Sequence, residues 1–150
     1  MYQRILVPVD DSDTSAAALR ESIRLAIDQK AVVRLVHVID LAQFAWSANE
    51  FLDVPQLQDS LRKSGEQLLV KYVDVLKQQN VNCESGLLEA WGGNLARAIV
   101  DDGAEWNADV IVMGTHGYSG LTHLLLGSVA EGVMRHTRIQ TLLVRAQAHG

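Results

Sequence analysis

Short, nearly continuous apolar runs alternate along this chain with longer stretches in which apolar residues recur every three or four positions. Ile5-Leu6-Val7-Pro8-Val9 is the first compact run and ends at Asp10, and Val32 to Ile39 is the second. Asp109 to Met113 forms another, stopped by Gly114, and Leu142-Leu143-Val144 closes the series. Unbroken runs rich in β-branched residues predict parallel strands covered on both faces, because a strand with one wet face alternates instead. Val81 to Glu89 is weaker, and its polar residues and Gly86 predict a strand at a sheet edge.

Helical spacing fills the intervals. Ala16, Leu19, Ile23, Ala26 and Ile27 follow a 3.6-residue period, with Ser12 or Asp13 placed to cap the first turn. Leu57, Leu61, Leu68, Tyr72 and Val75 do the same, with Pro55 near the helix start. Leu95, Ala98 and Ile99 follow Asn94 as a capping residue, and Val129, Val133 and Met134 follow Gly127-Ser128. The order β-α-β-α-β-α-β-α-β predicts an α/β fold, a parallel sheet with helices on both faces joined by right-handed crossovers. Asp40 to Val54 breaks the rhythm. With Phe44, Trp46 and Phe51 it is too apolar for a disordered linker, and it is expected to pack on the body, cover a site or meet a partner. No internal repeat or second domain is visible across 1–150.

Composition adds bounds to this picture. A chain of 150 residues, 48% apolar and 21% charged, is long and apolar enough to build one core without a disulfide or metal. Its net charge of −5 argues against nonspecific binding to nucleic acid or an anionic membrane, which needs a basic surface. Cys83 stands alone, so no intramolecular disulfide forms, and it reads as structural in a reducing compartment. Met1-Tyr2-Gln3-Arg4 leads straight into an apolar strand with no signal-peptide pattern, and no apolar run reaches the ~20 residues that span a bilayer. The expectation is a soluble cytoplasmic protein.

Open parallel sheets bind ligands beyond the C-terminal ends of their strands, where strand order reverses. Three such ends are chemically distinctive: Asp10-Asp11-Ser12, His37-Val38-Ile39-Asp40, and the run from Gly114 to Gly120. Gly114, Gly117 and Gly120 lack Cβ, and are expected to let amides approach a ligand and to adopt positive φ. Gly127-Ser128 opens the last helix, whose unpaired N–H groups favour an anion. The Ser128 hydroxyl either caps that helix or bonds a phosphate oxygen. No Lys precedes Ser128, so this is not a Walker A loop, and the Gly-x-Gly-x-x-Gly fingerprint is absent. By themselves, the glycines suit tight turns as well as a phosphate cradle. Asp10 likewise either meets a ligand or caps the first helix. The cluster Asp10-Asp11-Asp13 reads as a helix start rather than a metal site. His37 reads as a satisfied packing residue. Trp46, Trp91 and Trp106 also read as packing residues, with Trp46 best placed to cover a site.

Gly114-x2-Gly117-x9-Gly127-Ser128 resembles the ATP-binding motif of the universal stress protein family, and its flanks agree: Ala108 to Gly114 before it and Leu124 to Ala130 around its end. Ile5 to Asp10 with Ser12 looks like the family's first strand and turn, and Leu35 to Ile39 like its second strand. The resemblance covers almost the whole chain. It implies a single Rossmann-like domain over 1–150 with an open five-stranded parallel sheet of order 3-2-1-4-5. It implies ATP, or the related ADP or AMP, bound between the ends of the first and fourth strands; separately, a divalent ion such as Mg2+ or Mn2+ bridging the phosphates would supply positive charge that the loop lacks. Pro8, Val9 and Asp10 would sit by the nucleoside, and the Val38 backbone by the adenine edge. Met113, Gly114, Thr115, His116 and Gly117 would line the ribose and phosphates, and Gly127, Ser128 and Val129 the phosphates. It further implies a homodimer through the last strand, Thr141 to Arg145.

Two departures stand out. Relatives often carry Lys or Arg inside the glycine loop, whereas positions 115 to 126 here hold only His116 and His123 as candidate cations. Arg138-Ile139-Gln140-Thr141 replaces the Cys-Pro pair usual before the last strand. The leading reading is an adenine-nucleotide-binding module for stress response or signalling, acting as a dimer. A positioned base and loop cations are missing, so any hydrolysis would be slow and incidental. A slow hydrolase or transferase on the same scaffold, and a chaperone-like dimer with a vestigial site, are the alternatives. If His116 and His123 supply the loop's positive charge, nucleotide affinity rises as pH falls through the imidazole range near ~6.5, because only the protonated ring attracts phosphate. Titrating the dissociation constant from alkaline to mildly acid pH checks this, and a flat profile removes the role.

Overall fold

The apolar runs form strands, and all five lie parallel in one sheet of order β3-β2-β1-β4-β5. The computed structural model describes residues 1–42, 53–115 and 127–145. The strands are β1 (Arg4–Pro8), β2 (Val32–Asp40), β3 (Cys83–Ala90), β4 (Val110–Gly114) and β5 (Gln140–Val144). The helices are α1 (Asp13–Gln29), α2 (Val54–Gln78), α3 (Leu95–Trp106) and α4 (Ser128–His136), with one 3-10 turn at Gly92–Asn94 leading into α3.

Side chains of a strand alternate between faces, so one strand feeds two cores. Ile5, Val7, Val110 and Val112 pack with Ala18, Leu19, Leu69 and Leu76 in the layer formed by α1 and α2. Leu6, Ile111 and Met113 pack with Ala96, Ile99, Ala130 and Val133 in the layer formed by α3 and α4. The expectation of helices on both faces therefore holds, and the central strands β1 and β4 are buried on both sides. The weak run of β3 is an edge strand, as its polar residues predict.

Several local expectations are corrected. The run at Leu142 is not covered on both faces. β5 is the other sheet edge and leaves Leu142 41% exposed. Ile27 does not join the α1 stripe: it is 56% exposed near the end of the helix. Gly114 does not stop β4 but is its last residue, paired with Val144. Asn94 precedes α3 without a side-chain capping bond, because the 3-10 turn supplies the lead-in. By contrast Ser12 caps α1, accepting from Ser15 N, and Asp53 caps α2 just before Pro55. Trp106 packs beside the α3/α4 core under the Arg4 guanidinium, but Trp91 is exposed. The apolar stretch with Phe44, Trp46 and Phe51 lies outside the described residues.

A polar tie crosses the β2–α3 contact. Arg34 Nε and Nη2 donate to the two Asp102 oxygens, both at 2.9 Å, and Nη1 reaches Glu84 on β3 at 3.2 Å. The Asp102 bond holds the guanidinium pKa above its ordinary value against the opposing effect of burial. Asp102→Asn keeps the volume but removes the charge, and is expected to cost about 1–3 kcal/mol, as charged hydrogen bonds do. The measurement is a urea midpoint that falls at constant m-value.

Candidate functional site

β1 and β4 begin as neighbours and then separate. Their paired residues are Ile5 with Val110 and Leu6 with Ile111, and the pairing ends there. β1 continues on its other side to the pair Pro8–Val36, and β4 continues to the pair Gly114–Val144. Successive residues of a strand direct their backbone groups to opposite neighbours. Arg4 O accepts from Asp109 N on the β4 side, while Val9 N donates to Val36 O on the β2 side. Pro8 is therefore aligned with the β4 side, and proline has no N–H to extend that ladder. A proline in a central strand is tolerated here because it falls where the ladder has already parted. By the same alternation Val38, like Val36, directs its backbone groups toward β1, at the level where β1 gives way to the turn at Asp10.

That turn is held from several directions. Asp10 N donates to Ser15 Oγ at 2.8 Å, and Asp10 Oδ1 accepts from Ser12 N at 2.8 Å. The Asp10 carbonyl accepts from the Tyr72 hydroxyl of α2 at 3.2 Å. His37 Nδ1 lies 2.7 Å from the Val9 carbonyl, so it carries the proton and donates. The satisfied-packing reading of His37 is thus supported, with one addition: it anchors the strand end next to Asp10. The helix-start reading of Asp10-Asp11-Asp13 also describes what is seen, since Ser12 caps α1 and Asp13 lies in its first turn. Asp10 is not the α1 cap, which is Ser12; its carboxylate braces the turn by accepting from Ser12 N, and the residue borders the crevice.

On the other bank, Thr115 N donates to Val144 O at 3.0 Å and Thr115 O accepts from Gly127 N at 2.7 Å. The second bond brings the start of α4 back to the end of β4. The reason for Gly114 differs from the expected one. Among the described glycines only Gly92 has positive φ. A Cβ at Gly114 would strike Thr14 of α1, coming within 2.7 Å of its backbone carbonyl carbon. Gly114 is thus small to admit the helix, and it also borders the cavity. Gly127 is the α4 cap in extended conformation, and Ser128 is the first helical residue with no capping bond, so the cap reading of Ser128 is corrected. His116, Gly117, Gly120 and His123 lie outside the described residues.

Between the two banks lies a cavity of about 310 Å³. Of the predicted residues, Pro8, Val9, Asp10, Val38, Met113, Gly114, Thr115, Gly127, Ser128 and Val129 all border it. The Val9 side chain belongs to the α1/α2 core, so Val9 offers only backbone. Leu95, Ile99 and Ala130 form an apolar wall that sequence reasoning assigned to helix cores or left unremarked. Their helical spacing is the signal for burial, and it does not distinguish a wall from a core. Thr14 and Ser15 at the α1 N-terminus were also missed. Cys83 is remote from this cavity, and burial pushes its thiol pKa up against the opposing charge of Lys77, which suits an inert structural residue.

Fold and crevice together define an open, doubly wound α/β protein with a cavity at the switch point of the sheet, where such folds bind ligands. The sequence model of the Universal stress protein family matches residues 1–145. Universal stress protein MJ0531 of Methanocaldococcus jannaschii is 32% identical over 145 residues, covering 97% of this chain and 83% of that one. The solved structure of the protein MJ0577 is similar with a TM-score of 0.84 at 27% identity, over 98% of both chains. Two structures at 22% identity share the fold: a universal stress protein in complex with cAMP (TM-score 0.67, 97% and 98% covered) and one from Archaeoglobus fulgidus in complex with dAMP (TM-score 0.70, 95% and 98% covered). The chain belongs to the universal stress protein family.

Because a Cβ at Gly114 would meet the Thr14 carbonyl carbon and Cβ as well as its hydroxyl, Gly114→Ala is expected to destabilise the protein by about 1–3 kcal/mol, the usual cost of overpacking. Thr14→Ala in the same chain should not restore stability, since the carbonyl carbon stays in place. Thermal denaturation of the single and double variants checks both points.

Proposed function

We propose that this chain binds an adenine nucleotide (ATP, ADP or AMP) in the crevice between β1 and β4, and serves as a nucleotide-responsive module in cytoplasmic stress signalling. One observation carries this proposal: the strands part at the switch point, and the gap is flanked by a carboxylate on one bank and a helix N-terminus on the other. An apolar slot with few polar groups at its rim suits a flat base carrying a polar tail. Adenine enters between Val36, Val38, Leu95 and Ile99, with its edge on the Val38 backbone. Asp10 accepts from ribose hydroxyls, above Pro8 and Val9. Met113, Gly114 and Thr115, with His116 and Gly117, border the sugar and phosphates; Gly127, whose N–H is taken by the Thr115 carbonyl, borders the phosphates, and the N–H groups of Ser128 and Val129 meet them. Mg2+ or Mn2+ accompanying a di- or triphosphate would supply positive charge that the described lining of the crevice lacks. The cAMP and dAMP complexes of fold neighbours support an adenine ligand. The role is binding, with hydrolysis slow at most.

The exposed β5 edge supports a homodimer. Among the described residues β5 pairs only with β4, and such an edge with Leu142 outward is a template for a second copy, with Thr141 to Arg145 the segment proposed to pair.

Denaturing the purified protein is expected to release adenine nucleotide into the supernatant. Asp10→Asn retains Oδ1 for Ser12 N and so keeps the turn, but weakens the ribose bonds, raising the dissociation constant about tenfold or more. Absence of released nucleotide, together with no thermal shift at millimolar AMP, ADP or ATP, would sink the proposal.

A further inference from the structure

The charge balance of the crevice narrows the ligand class. Among the described residues that line the cavity, Asp10 is the one carboxylate, and no Lys or Arg is present. The loop from 116 to 126 holds no Lys or Arg either. Arg97 on α3 and Arg145 after β5 are exposed and do not border the cavity. Arg135, at the far end of α4, is paired with Glu131 at 2.8 Å. Positive potential therefore comes from the N-termini of α1 and α4, each equivalent to about half an elementary charge. Against them stand Asp10 and, in the turn and first turn of α1, the exposed Asp11 and Asp13. A first phosphate can rest on the α4 amides. Each later phosphate adds negative charge without a cation to meet it, and charge-assisted contacts are the ones that make polyphosphate binding strong.

We propose that this site selects adenine ligands of low charge, the nucleoside and its monophosphates, over ATP when no divalent ion accompanies the phosphates. This rests on the adenine-nucleotide reading of the same crevice. It differs from the general expectation for a glycine-loop site, in which affinity grows with the phosphate chain.

The test is calorimetry on the full chain, freed of bound nucleotide, with EDTA at about pH 8, above the ordinary histidine range. Adenosine, AMP, ADP and ATP are titrated at ionic strengths of about 0.01 M and about 0.15 M, between which the Debye length shrinks from about 30 to about 8 Å. The expected result is that AMP binds at least as tightly as ATP, and that salt narrows the gap by screening repulsion. ATP binding ten times tighter than AMP in EDTA, and weakening as salt rises, would overturn the proposal while leaving the adenine reading intact. If none of the four ligands binds, the adenine reading fails and this inference fails with it.

Discussion

Parallel strands hold together only while each backbone group finds a partner, and the early end of the β1–β4 ladder shapes everything around the site. After Leu6 and Ile111 the two strands follow different neighbours, β1 keeping β2 and β4 keeping β5. Pro8 has no N–H to offer across the gap, so nothing of the ladder is lost by opening it there. The sheet below the gap is rigid because Ile5, Leu6, Val7, Ile111 and Val112 are essentially fully buried between two helical layers. An opening above such a base is a permanent feature of the fold rather than an occasional fluctuation.

Two helix N-termini then define the banks, and each is positioned by close contact. α1 comes down on Gly114, where a Cβ would meet the backbone of Thr14. α4 is drawn to the end of β4 by the Gly127–Thr115 bond, and Gly132 lets it approach Ala96 of α3 so closely that a Cβ would lie 2.6 Å from that methyl group. Precision in this packing places two helix N-termini at the crevice without spending a charged side chain. That economy gives the site its character: strong in shape and in apolar surface, modest in positive charge. The His37 and Tyr72 bonds to the carbonyls of Val9 and Asp10 extend the same logic from the opposite face of the sheet. The cavity they frame is bordered by β1, β2, β4 and α4 together.

Much of the architecture was legible in residue order. β-Branched runs and 3.6-residue spacing placed the five strands and four α-helices of the described residues, and the polar run at β3 correctly marked an edge. Pro55 stands in the first turn of α2 as its position predicts, and Ser12 shows where capping chemistry works from local sequence alone. Asn94 and Ile27 show where it does not, because a preceding 3-10 turn and the end of a packed layer override residue preference. Leu142 reads as core by composition and is exposed by topology, since an apolar strand at a sheet edge lacks a neighbour to cover it. Ten of the site residues named from sequence do border the cavity, but the apolar wall of Leu95, Ile99 and Ala130 carries no local mark that separates it from ordinary core.

Local chemistry thus determined which segments become strands, which become helices, and which residue types stand at the strand ends: a carboxylate at 10, small residues at 114 and 127, and no fixed cation between 115 and 126. Tertiary structure alone decided which strand ends become neighbours, that β1 and β4 part after one shared turn of ladder, and that Gly114 is small for the sake of Thr14. The division has a physical cause. Periodicity and capping act over a few residues, whereas the crevice is made by segments about a hundred positions apart that meet only once the sheet has closed its two cores.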